Sequence, residues 1–226
     1  MTAKHGRLFA MVAVLGLFAS PALAQMFGNP VYFSPKQGVG LTIAGDYGRG
    51  LNDNSGKSNY FGGRATLGLP MFAITVGGGS AKPEGGTSLT TFGADVAVTV
   101  LKGPAVPVTV SLQAGVGSYK ADPLTFMHIP VGAALAFNVK SPGASVEPWV
   151  APRLDITRTS GTVGTISVSD TEMDIGASGG VNVGLPSGLG FHLALDWINI
   201  ENAAPLTVGA GVHYTIKIPS LGPAGM

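Results

Sequence analysis

The chain has 226 residues, of which only 11% are charged, with a formal net charge of +1 and no cysteine. Charge this sparse and scattered excludes a nucleic-acid-binding surface, and without cysteine no disulfide can hold the fold. After residue 25 no run reaches the roughly 18 apolar residues of a membrane-spanning helix, and the length suits one domain.

Residues 1–24 read as a secretory signal peptide. "MTAKHGR" supplies Lys4, His5 and Arg7, an uncharged run covers 8–18, and "ALA" at 22–24 precedes Gln25. That run is shorter than the about 20 residues a spanning helix needs. Cleavage there takes the formal charge from +1 to −1. Residues 25–36 form a lead segment, and from 37 onward period-two alternation dominates.

Ten strands are predicted, at 37–48, 59–69, 71–79, 89–101, 107–119, 126–139, 146–158, 171–184, 189–199 and 207–218. Most match the about 9–11 residues of transmembrane strands rather than the about 5–6 usual in soluble domains. The connections alternate in size: "RGLNDNSGKS", "SAKPEGGTS", "KADPLT", "TSGTVGTISVSD" and "IENAAP" against Pro70, "KGPAV", "SPGAS" and "PSG". Long connections at one end and short turns at the other are the pattern of outer-membrane barrels. The segment 159–170 is expected to be the longest and most mobile loop, and 219–226, "PSLGPAGM", a flexible periplasmic tail. Pro130, Pro148 and Pro152 fall inside strands, which predicts bulges or bends there, or a count of eight strands.

Phasing each strand by its apolar residues places Asp46, Arg64, Asp95, Glu147, Arg153, Asp155, Glu172, Asp174, Asp196 and Lys217 on the opposite face. His128, His192 and His213 join them. The remaining charges are expected in loops, turns or the lead segment, with none on the apolar face. Glycine and alanine fill much of the polar face, which suits a narrow lumen where side chains converge. The apolar face, including Leu193, Leu195, Trp197, Val208, Val212, Tyr214 and Ile216, is then expected to face lipid. The expected fold is all-β: a closed up-and-down antiparallel transmembrane β-barrel over 37–218.

With this pattern the chain resembles small Gram-negative outer-membrane barrels of the OmpA/OmpX-like type. The local match is "HYTIKI", at 213–218, which looks like the terminal strand signal read by the barrel-assembly machinery, although it ends on Ile218 and not on an aromatic residue. The resemblance implies export to the cell outer membrane, with membrane lipid and the assembly machinery as partners.

In the lumen, Arg153 is expected to meet Asp174 or Glu172, His213 to lie across from Asp196, and His192 across from Lys217. Clustered carboxylates shift one another's protonation and can form an acid–base pair or a cation site. A salt-bridge network that plugs the pore and fixes strand register is the reading preferred here, because inward charges must pair where water is scarce. No HExxH spacing or phosphate-binding loop occurs, so no catalytic, cofactor or metal residue is assigned. The expectation is a non-enzymatic barrel with a structural or cell-surface interaction role through its outer loops. A narrow porin-like channel, a lumenal enzyme and a soluble periplasmic barrel for apolar ligands are the alternatives.

Overall fold

The computed structural model describes residues 39–55, 57–102, 107–200 and 204–218. The expected signal peptide, lead segment and tail lie outside the described residues. The strands are β1 (Gly40–Gly50), β2 (Asn59–Gly68), β3 (Phe72–Lys82), β4 (Leu89–Lys102), β5 (Val108–Ala121) and β6 (Leu124–Phe137). They continue as β7 (Val139–Lys140), β8 (Ser145–Val163), β9 (Ile166–Gly184), β10 (Leu189–Asn199) and β11 (Leu206–Ile216). All pairings are antiparallel. β7 extends β6 past Asn138 and both pair with β8, so the sheet has ten staves. β1 pairs with β11 from Leu41↔Ile216 to Gly50↔Thr207, which closes the barrel.

Two expectations about connections are corrected. The segment 159–170 is not a long loop: β8 and β9 stay paired to Val163↔Ile166, leaving a tight turn at Gly164 and Thr165. Its Thr, Val and Ile residues are β-branched and good strand formers, and Gly164 takes the left-handed φ of +64° that the turn demands. Likewise "KADPLT" contributes to β5 and β6, with only Asp122 and Pro123 between them. The loop end of the barrel is therefore set by the 51–58, 83–88 and 200–205 connections and by the tall β8–β9 hairpin.

The prolines need no bulge. β5–β6 stays in one register on either side of Pro130, and β6–β8 does so around Pro152; pairing simply lapses at those points. β8 remains continuously paired with β9 through both Pro148 and Pro152. Each missing N–H thus interrupts one ladder while the opposite ladder holds the strand. The register shift that does occur lies between Thr99 and Leu101 on β4.

Exposure alternates along the staves, and the outward side chains are apolar: Ile43, Phe61, Val96, Leu112, Leu154 and Leu193 are all exposed. One sequence expectation fails here. Because β1, β3 and β5 run further than predicted, Arg49, Lys82 and Lys120 fall on the outward face near the loop end, where Arg158, already the last residue of the predicted strand 146–158, also points outward.

Inward, the side chains stack in three levels. At the loop end Tyr60, Ala81, Tyr119, Leu124 and Phe126 form an apolar cap, with Tyr119 and Phe126 stacked at 4.8 Å. Near the turn end Trp149 packs among Ala134, Ala136, Ala151 and Ala194. The alanines on this face are the space that the indole fills. Between these levels lie the charges.

Candidate functional site: the lumenal charge clusters

The first cluster joins the β1–β2 and β10–β11 hairpins across the closing seam. Asp46 Oδ2 lies 3.2 Å from Arg64 Nε, and Asp46 Oδ1 lies 2.8 Å from His192 Nε2. His192 Nδ1 sits 3.0 Å from His213 Nδ1, the two rings stacked at 5.3 Å. With the His192 Nε2–H donated to the carboxylate, its Nδ1 accepts, and His213 donates from Nδ1. The backbone makes room for this chain: a Cβ on Gly211 would collide with His192 Nε2 and with the Gly45 carbonyl.

The second cluster spans β6, β8, β9 and β10. Arg153 donates Nε–H to Asp155 at 2.9 Å and Nη2–H to Asp196 Oδ2 at 2.9 Å. Its Nη1 serves Asp196 Oδ1 and Ser178, and the Ser178 hydroxyl also donates to Asp196. The guanidinium thus grips Asp196 with two nitrogens, the geometry in which arginine binds carboxylate best. Asp155 is shared with His128, whose Nε2 lies 2.9 Å away, while His128 Nδ1 faces the Thr157 hydroxyl at 3.4 Å.

Two smaller groupings complete the interior. Asp95 faces Thr75 across the β3–β4 pair. Near the turn end Glu147 accepts from Asn138 at 3.1 Å and Asn182 at 3.3 Å.

Of the expected lumenal residues, Asp46, Arg64, Asp95, Arg153, Asp155, Asp196 and His213 are buried inward, and Glu147 and Asp174 are half-buried. Lys217 is corrected: it lies beyond Ile216, the last residue of β11, and is exposed. Glu172 is corrected too, because the β8–β9 hairpin lifts it out of the lumen and leaves it exposed. Arg153 meets Asp155 and Asp196 instead of Asp174 or Glu172. His213 does not face Asp196, since the last hairpin pairs Gly190 with His213 and Asp196 with Thr207. His192 finds Asp46, not Lys217, because closure brings β1 beside β11. The expected lipid-facing residues all point outward, with Val208 half-buried and the rest exposed.

Sequence reasoning missed the Asp155–His128–Thr157 alignment and the His192–Asp46 contact. The β6–β8 register, which sets His128 opposite Thr157, was the missing information. Among the described residues no group of three His, Asp or Glu side chains is arranged to hold a metal ion.

Charges inside and apolar side chains outside are the inverse of a soluble barrel. This is a transmembrane β-barrel. No family model and no curated protein sequence matches the chain. Among solved structures it is similar to the β domain of the Bordetella autotransporter BrkA, at 12% identity and a TM-score of 0.47, over 78% of this chain and 99% of that one. It is also similar to the N-terminal β-barrel domain of Pseudomonas aeruginosa OprF, at 12% identity and a TM-score of 0.40, over 80% of this chain and all of the other. Neisserial surface protein A is similar at 15% identity and a TM-score of 0.39, over 80% of this chain and 100% of that one.

Proposed function

We propose that this chain is an exported outer-membrane barrel with a blocked lumen, acting by contact at the cell surface and without catalysis. The observation that carries the surface role is the β8–β9 hairpin. β9 pairs with β10 only from Ile175 to Gly184, so its loop-end stretch from Ile166 to Asp174 has β8 on one side and no strand on the other among the described residues. Such an edge offers backbone donors and acceptors to an incoming extended segment. Asp170, Glu172 and Asp174 at alternate positions set like charges against pairing with a second copy.

The three filled levels of the interior support the absence of a conducting path. The apolar belt makes membrane lipid the partner along the wall, and "HYTIKI", most of which lies in β11, is the segment offered to the barrel-assembly machinery. The absence of cysteine makes a clean test possible. Ser167→Cys should react on intact cells with a membrane-impermeant maleimide, while Ser141→Cys, in the opposite turn, should react only after lysis. Protection of Ser167→Cys on intact cells would overturn the surface role.

One observation favours a second reading, a lumenal hydrolase: the carboxylate–imidazole–hydroxyl line of Asp155, His128 and Thr157. Against it, His128 is buried below the aromatic cap, so a substrate would have to displace Phe126 and Tyr119. Thr157→Ala should leave surface binding unchanged; loss of an ester- or lipid-cleaving activity on that substitution would favour the enzyme.

A further inference from the structure

The outward charges on this barrel share one sign, whereas the lumen holds Arg64 and Arg153 together with the carboxylates. Every strand carboxylate described lies in the inward phase or on the β8–β9 hairpin in that same phase. The outward face carries Arg49, Lys82, Lys120 and Arg158, all cations and all near the loop end. Among the described side chains, the outward phase carries no charge at the turn end, where Lys140 and Lys217 stand exposed at the rim in the inward phase. Cations without carboxylates on the outward phase at the loop end suit a leaflet with anionic headgroups there.

Two of these cations belong to a local arrangement. Arg49 on β1 and Lys82 on β3 are each the register partner of Asn59 on β2, so the three side chains stand in a row across adjacent strands. At the usual strand spacing the two cations are about 10 Å apart, within reach of one headgroup between them. Asn59 is held in place by Tyr47, whose hydroxyl donates to Asn59 Oδ1 at 2.9 Å. That bond uses the amide oxygen and leaves its Nδ2 as a further donor. The row therefore offers guanidinium, amide and ammonium donors.

One loop carboxylate above it is engaged: Asp53 pairs with Lys57 at 2.7 Å. Of the other two outward cations, Lys120 is paired with Asp122 at 2.8 Å. Directly below the row, Tyr47 and Phe61 pack at 4.9 Å, and the apolar belt continues through Ile43 and Val76. Donors above an aromatic pair above an apolar wall match the order of phosphate, glycerol or sugar, and acyl chain in an anionic lipid.

We infer that Arg49, Asn59 and Lys82 form a binding site for the phosphate of an anionic lipid in the leaflet at the loop end. Long cationic stems lie along the wall while their heads stay at the headgroup level. The site rests on the membrane orientation proposed above.

The test uses the full mature chain in phosphatidylcholine nanodiscs, titrated with dioleoyl phosphatidic acid, with dioleoylglycerol as the phosphate-free control. Arg49→Gln with Lys82→Gln should weaken phosphatidic acid binding about thirtyfold, from the contribution of two cations near an anionic surface. Arg158→Gln with Lys120→Gln should change it far less. Millimolar inorganic phosphate should not displace the lipid. Equal binding by the Arg49/Lys82 variant, equal binding of dioleoylglycerol, or displacement by inorganic phosphate would each overturn the site. Because these residues are exposed, heat-modifiable gel mobility should confirm that both variants fold. If Ser167→Cys still labels on intact cells while the titration fails, the lipid site alone is wrong.

Discussion

Replacing Arg153 by methionine tests whether the lumen behaves as a protein core or as a water-filled pore. The side chain is fully buried, as are its carboxylate partners Asp155 and Asp196. Arg153→Met removes the bidentate grip on Asp196, the Nε bond to Asp155 and the bond to Ser178, leaving two carboxylates with only His128 and Ser178 as partners. Breaking a buried pair from one side costs about 3–5 kcal/mol, because the stranded charge keeps its desolvation penalty. A typical stability of about 5–15 kcal/mol makes that a large share of the whole. The assay is urea unfolding in lipid vesicles, followed by tryptophan fluorescence and by heat-modifiable gel mobility. Adding Asp155→Asn and Asp196→Asn to Arg153→Met removes the stranded charges and should recover most of the loss. A single-variant cost below about 1 kcal/mol would place these carboxylates in high dielectric and refute the dry-lumen reasoning.

Val212→Arg on the outward face of β11 should cost about 2–4 kcal/mol if it lies at mid-bilayer, measured by the same titration. A near-zero cost at demonstrated mid-depth would reverse the face assignment. Gly211→Ala should destabilise by about 1–3 kcal/mol, since the added methyl meets a backbone carbonyl that cannot move aside; full stability would mean the closing seam is looser than described. Wild-type protein in planar bilayers should show no discrete conductance, because all three levels of the lumen are filled. Steps from the wild type would restore the channel reading. Ser169→Pro should weaken any partner that pairs with the β9 edge while leaving the barrel folded, because proline removes an N–H donor there.

Strand number, order and facing were legible because alternation has a period of two and charge cannot face lipid. The same reasoning read Asp46, Arg64, Asp95, Arg153, Asp155 and Asp196 as inward. What alternation lacks is the relative slide of neighbouring strands. Register decides whether His213 meets Asp196 or His192, and it is set by packing around the whole barrel. Closure also juxtaposes residues far apart in sequence, such as Asp46 and His192, which no local window contains. The hairpin 159–170 departs from its loop-like sequence for a different reason. Its Ser, Thr and Asp content has the composition of a loop, yet polar residues alternate freely on strands that stand clear of the membrane. Arg49 and Lys82 sit in runs of the same loop-like composition, although β1 and β3 continue through them.

The buried charges also explain how one register is chosen. A ten-stave barrel with an all-apolar interior would present greasy side chains on both faces, and sliding a strand by one residue would exchange faces at little cost. With Arg64, Arg153, Asp46, Asp155 and Asp196 on the inner face, that slide drives a charge into hydrocarbon and strands its partner. Arg153 binds carboxylates on its own strand and on β10, across the intervening β9, so it fixes β8, β9 and β10 together. Asp46 does the same across the seam, tying β1 to β2 through Arg64 and to β10 through His192. Closure between the first and last strands is where a barrel has no chain connection to guide it. A charged residue there, bonded in both directions, supplies the guidance that a hairpin turn supplies elsewhere.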